Sequence, residues 1–180
     1  QLANVRAYLA YMWAHPGKQL LFMGSEFGQP SEWNQERGLD WWILEQPTHQ
    51  ALQSMVSTLN QVYLENAAFW QLDHDPAGFV WIDGGNADAN LLSFLRVDKS
   101  GNQIACVINF AGQPHHNFTL GLPRPGKWNE ILNTDATEYG GSGVGNFGSV
   151  EASGEGSHGQ PHSANISVPP LAAVWFKPAN

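Results

Sequence analysis

Charge is scarce in this chain of 180 residues: only 13% are Asp, Glu, Lys or Arg, about half of the roughly 25% usual in soluble domains. Basic residues are scarcest, eight against sixteen acids, for a formal charge of -8. Such a surface repels phosphate backbones and anionic lipid, so neither nucleic acid nor a membrane is an expected partner. The one cysteine, Cys106, lies inside the apolar run 104–110. No intrachain disulfide can form, and a small buried hydrophobe in a reduced, cytoplasmic setting is expected. No run of about 20 apolar residues is present to span a bilayer, and no basic segment of a leader opens the chain.

Cofactor motifs are missing too. No glycine-rich phosphate loop runs into Lys-Ser or Lys-Thr, and the glycine run near residue 140 lacks the strand and helix that a nucleotide site requires. His115 and His116 are adjacent and His158 stands four residues before His162, but Gly159 and Pro161 argue against the helix on which that pair could share a ligand. Neither a metal nor a cofactor is expected.

Present instead are 19 Gly, eight Trp and nine Phe, distributed unevenly. Val5, Tyr8, Leu9 and Met12 follow the i, i+3, i+4, i+7 rhythm of an amphipathic helix with neither an initiating Met nor a capping residue before it. The chain is therefore expected to begin inside a helix and to be a fragment. Pro16 and Gly17 stop that helix, and Leu20–Met23 reads as a strand buried on both faces, as in a parallel sheet. A long irregular segment follows from 24 to about 47. Thr48 is the expected N-cap of a second helix with Leu52, Met55, Val56, Leu59, Val62 and Tyr63 on one face, packed against the preceding strand.

Beyond about residue 69 the rhythm changes to short β-branched and aromatic runs at 79–82, 91–97, 104–110, 117–122, 128–132, 166–168 and 172–176, which predict an antiparallel β-sandwich. Asp98-Lys99-Ser100-Gly101-Asn102 has the composition of a hairpin turn. The Gly- and Ser-rich stretch 133–163 reads as a flexible linker or, given Tyr139, Val144 and Phe147, as an ordered excursion. Trp81, Trp128 and Trp175 fall inside strands and are expected to be buried.

The segment from Ser25 to Trp42 combines carboxylates, amides and indoles, a mixture suited to sugars. Indole planes take the apolar faces of pyranose rings, while carboxylates and amides take the hydroxyls. Candidate binding residues are Glu26, Gln29, Glu32, Trp33, Asp40, Trp41 and Trp42. The alternatives are indoles that fill a core beneath the loop, and carboxylates that order the loop or substrate. A catalytic pair across a glycosidic bond would need a separation of about 5–9.5 Å that loop spacing does not establish.

Several of these runs resemble the bacterial glycogen branching enzymes of the α-amylase superfamily. They are Leu2-Ala3-Asn4-Val5-Arg6, Leu20 to Gln29, Glu32-Trp33-Asn34, Leu39-Asp40-Trp41, Asp73-His74-Asp75-Pro76, Leu132-Asn133-Thr134-Asp135, His158-Gly159-Gln160-Pro161-His162-Ser163 and Pro169-Pro170-Leu171-Ala172. The stretch from Gly143 to Gly156 fits only loosely. The resemblance implies that residues 1–68 are the C-terminal end of a (β/α)8 TIM barrel, with Leu20–Met23 as its eighth strand, and that 69–180 form an all-β antiparallel sandwich domain. It places the catalytic Asp, Glu and second Asp before Gln1, so that the fragment alone is inactive. It implies α-glucan partners, glycogen and linear maltooligosaccharides. Two rival readings are another glucan-active member of the superfamily and a free-standing carbohydrate-binding sandwich. Residues 1–68 are expected to be poorly stable alone, and 69–180 to fold independently.

Overall fold

The computed structural model describes residues 2–179. Helix α1 spans Leu2–Ala14 and α2 spans Pro47–Glu65, joined by the long loop with 3-10 turns at Ser25–Phe27 and Trp41–Glu45. Eight strands follow: β1 (Phe79–Asp83), β2 (Leu91–Val97), β3 (Gln103–Asn109), β4 (His115–Leu122), β5 (Gly126–Asn133), β6 (Ser149–Ala152), β7 (His162–Val168) and β8 (Ala172–Pro178). Six form one sheet in the order β1-β2-β3-β8-β5-β6, and β4 pairs with β7 in a second. Every paired strand is antiparallel.

The large sheet is buried on both faces, which explains the nearly unbroken apolar runs of β3 and β8. One face carries Leu91, Leu95, Val107, Trp128, Val174 and Phe176 toward Leu120, Leu122 and Ile166 of the small sheet. The other carries Phe94, Ile104, Cys106, Ile108 and Trp175 toward Leu9, Trp13, Leu52, Met55, Leu59 and Phe69. Helices and sandwich thus share a core.

The predicted turn holds: Asp98 N donates to Asn102 O at 3.0 Å, and Gly101 takes φ +80°. Four expectations need correction. Leu20–Met23 is not a strand; Met23 turns left-handed (φ 45°), Leu20 and Phe22 are 78% and 60% exposed, and no parallel partner exists among the described residues. Those residues accordingly contain no barrel sheet, and α2 packs on α1 and the sandwich instead. Helix α2 begins at Pro47, whose fixed φ and missing N–H suit the first helical position, with Gln46 rather than Thr48 before it. In α1, Leu9 of the expected stripe is buried and Val5 and Met12 pack against the core, but Tyr8 is exposed. The most buried face is Arg6, Ala7, Leu9, Ala10, Trp13 and Ala14, whose three alanines allow close approach to the sheet. Trp128 and Trp175 are buried, but Trp81, on edge strand β1, is about half exposed.

The glycine-rich excursion is ordered, and it contains β6. Asp135 is its hub: its carboxylate accepts from Ser142 N (2.9 Å), Ser142 Oγ (2.6 Å) and Val144 N (3.1 Å). Glycine is required at 141, where a Cβ would lie 2.0 Å from the Asp135 carbonyl oxygen. Tyr139 Oη donates to Thr58 Oγ1 of α2 at 3.0 Å, and Arg6 Nε of α1 donates to Thr134 O at 2.9 Å. The excursion thereby clasps both helices.

Candidate functional site

The loop from Gly24 to Glu45 folds back on α2. It starts with a left-handed glycine on either side of one 3-10 turn, Gly24 (φ 86°) and Gly28 (φ 71°), conformations that a Cβ disfavours. Phe27 is fully buried, with its ring 5.1 Å from that of Trp41. The two limbs of the loop are tied by polar bonds: Asp40 N donates to Gln29 Oε1 at 2.8 Å, and Ser31 Oγ donates to Asp40 Oδ2. Arg37 lies 3.9 Å from Asp40 Oδ1.

Of the seven residues chosen from the sequence, Gln29 and Asp40 are therefore brought together inside the loop, as its braces. Trp33, Trp41 and Trp42 point outward, 55–62% exposed, so they do not fill a core. Glu26 lines a cleft of about 660 Å3 between the loop and α2, bounded also by Phe22, Leu39, Gln53, Ser57 and Asn60. Glu32 and Trp33 line a separate recess of about 280 Å3 with Ser31 and Gln29. The two hollows adjoin at Phe22 and Met23, with Glu26 on one and Glu32 on the other.

Five carboxylates (Glu26, Glu32, Glu36, Asp40, Glu45) stand in this loop against the single cation Arg37. The arrangement can offer indole faces and hydroxyl-binding oxygens to an uncharged, hydroxyl-rich ligand, and it repels an anion. Among the described residues, no three His, Cys, Asp or Glu side chains cluster as a metal site would require.

Sequence reasoning missed Gln53, Ser57 and Asn60, the polar wall of the cleft. Their i, i+4, i+7 spacing on α2 beside the apolar stripe was the available signal. It also missed His49, whose Nδ1 lies 2.7 Å from the carbonyl oxygen of Phe27; a lone His near a helix start carries no such signal.

The family model for the alpha amylase C-terminal all-beta domain matches residues 81–179. The 1,4-alpha-glucan branching enzyme GlgB of Leifsonia xyli subsp. xyli is 59% identical over 177 residues, 98% of this chain and 24% of that protein. Its counterpart from Frankia casuarinae is 53% identical over 182 residues, 99% of this chain and 22% of its own length. The chain thus spans about a quarter of the length of the curated relatives it matches. A crystal structure of Ttha1563 from Thermus thermophilus superposes with a TM-score of 0.69 at 18% identity, over 99% of this chain and 32% of that one. A Nostoc punctiforme debranching enzyme gives a TM-score of 0.67 at 14% identity, over 99% and 32%; at these identities the likeness is one of fold. With the family model matching residues 81–179, where the antiparallel sandwich lies, the chain belongs to the alpha amylase C-terminal all-beta domain family.

Proposed function

We propose that this chain is part of a 1,4-α-glucan branching enzyme, which cleaves an α-1,4 bond and transfers the freed chain to a 6-hydroxyl of another glucan. The observation that carries this reading is the 59% identity to a branching enzyme across 98% of the chain, helices and loop included. The sandwich fold alone does not demand it, since the same fold recurs at 18% identity. A free-standing sugar-binding sandwich would have no need of the matching helical and loop segment, so that reading is disfavoured.

The chemistry implied is retaining transglycosylation. A carboxylate nucleophile holds the cleaved chain as a glycosyl ester, while an acid/base carboxyl first protonates the leaving oxygen and then takes the proton of the incoming hydroxyl. In this proposal those carboxyls lie outside the chain. Residues 1–68 border the catalytic barrel and 69–180 form the supporting sandwich. The substrates are glycogen and linear maltooligosaccharides, neutral polymers compatible with a charge of -8, and the setting is the cytoplasm, without nucleic acid or membrane. No helix is long and apolar enough to cross a membrane among the described residues.

Within the site, Trp33, Trp41 and Trp42 serve as platforms and Glu26 and Glu32 take hydroxyls, while Gln29 and Asp40 hold the loop in shape. Replacing Trp33 and Trp41 by Ala in the intact enzyme is expected to weaken glucan affinity about ten-fold, given roughly 0.5–1.5 kcal/mol per aromatic platform. Unchanged affinity and branching rate would sink the assignment.

A further inference from the structure

The shape of the loop depends on a side chain outside it. His49 stands in the first turn of α2, half-buried, with Nδ1 2.7 Å from the Phe27 carbonyl oxygen. A carbonyl oxygen can only accept, so Nδ1 carries the proton and donates. Phe27 is buried and its ring supports Trp41 at 5.1 Å and 36°. The bond therefore fixes the base on which an exposed indole rests. The next residue, Gly28, has φ +71°, and a Cβ there would lie 2.9 Å from Leu52, 3.0 Å from Leu2 and 3.6 Å from His49 Nδ1. Backbone 27–28 is thus pressed between α1 and α2, and His49 supplies a hydrogen bond to it from α2 beside the turn's own Phe27 N–Gly24 O and Gly28 N–Ser25 O bonds.

From this geometry we infer that His49 is a positioning residue for glucan binding. It holds Phe27, and through Phe27 the exposed Trp41 indole, in place. The inference rests on the reading of the loop as glucan-lining. Gln29, Ser31 and Asp40 close the loop on itself, whereas His49 anchors it to the helix.

The test compares His49→Asn, whose side-chain N–H can take the place of Nδ1–H, with His49→Gln and His49→Ala. Hydrogen exchange of the 24–42 peptide in the 180-residue chain reads the loop itself. KM and kcat for maltoheptaose in the full-length enzyme read the consequence. One such bond is worth about a factor of five. Gln and Ala should therefore speed exchange about five-fold and raise KM similarly with kcat within about two-fold, while Asn stays near the parent. If the Ala variant does not fold, the Gln and Asn pair makes the same comparison. Unchanged exchange in Gln and Ala overturns the inference, as does an Asn variant that behaves like Ala, because that marks a packing role. Faster exchange with unchanged KM leaves His49 holding the loop but overturns the glucan-lining reading, so the two failures are distinguishable.

Discussion

Arg96→Met is expected to destabilise this fold severely. The Arg96 side chain, in β2, is completely buried. Its Nη1 donates to Ala14 O at 2.5 Å, Nη2 to Phe69 O at 2.9 Å and to Asp73 Oδ1 at 2.5 Å, and Nε to Gly78 O at 3.3 Å. Ala14 closes α1, so the guanidinium takes up a carbonyl with no intrahelical partner and sits where the helix dipole favours positive charge. One side chain therefore joins α1, the turns at 67–69 and 76–78, and β2. Removing one partner of a buried ion pair costs about 3–5 kcal/mol. The Asp73 side chain keeps 10% exposure and can partly rehydrate, which favours the lower end, about 3 kcal/mol. Three carbonyls left unpaired add about 1–2 kcal/mol after relaxation. The expected loss is about 4–5 kcal/mol, a large share of the roughly 5–15 kcal/mol that holds a domain together. In urea unfolding followed by tryptophan fluorescence the midpoint should fall sharply, and the melting temperature should drop by roughly 10–15 °C. Lys18, 86% exposed at 4.0 Å from Asp73, cannot compensate. Adding Asp73→Asn removes the stranded charge and should recover about 1–2 kcal/mol. A loss below about 1.5 kcal/mol, or a double variant no better than Arg96→Met, would refute the reasoning.

Two further outcomes are expected. Burial raises the pKa of the Asp98 carboxyl, but the Asn102 amide and the N–H groups of Asn102, Ser100 and Gly101 together hold it below the usual carboxylate range. Its contribution is therefore complete above the unfolded value, near 4, and is lost as pH falls through the lower folded value. Asp98→Ala should cost about 1–2 kcal/mol at pH 7 and flatten the acid limb of stability against pH, and identical limbs in denaturant titrations would contradict this. Against the expectation that 69–180 folds independently, truncation to those residues uncovers Phe94, Ile104, Cys106, Ile108 and Trp175, which share a core with both helices. At about 1.5–3 kcal/mol for each large side chain the lost cover approaches the stability of a whole domain. The truncated chain should bind a hydrophobic dye and self-associate in sedimentation, and a monomer with the parent's unfolding midpoint would contradict the shared core.

Much of the sandwich was legible because strands and tight turns are local. The turn at 98–102 announces itself by composition, and β2, β3 and β8 by apolar runs that span two buried faces. Strand β6 was not legible, since Ser149-Val150-Glu151-Ala152 is short, sits in glycine-rich surroundings, and is held by pairing to β5. Leu20–Met23 misled for the opposite reason: an apolar run states a preference for burial, and pairing needs neighbours, which are absent among the described residues. At the site, the composition of 25–42 singled out the indoles that prove exposed but did not show that Gln29 and Asp40 brace the loop. Gln29 and Asp40 have the same chemistry whether they bond to a ligand or to each other.

The sequence by itself determined the low and acidic charge, the antiparallel sandwich, the two helices, the indole-rich loop and the family resemblance. All of these follow from composition, short-range periodicity and motif. Only the tertiary structure decided which face of α1 turns inward, that the glycine-rich excursion wraps Asp135, and that Arg96 and His49 hold distant carbonyls. Those choices rest on contacts between residues far apart in the chain, such as Arg6 with Thr134 at a separation of 128 and Arg96 with Ala14 at 82. No local pattern encodes such a pair, because each group can find its partner only after the sheet and helices have brought the two together.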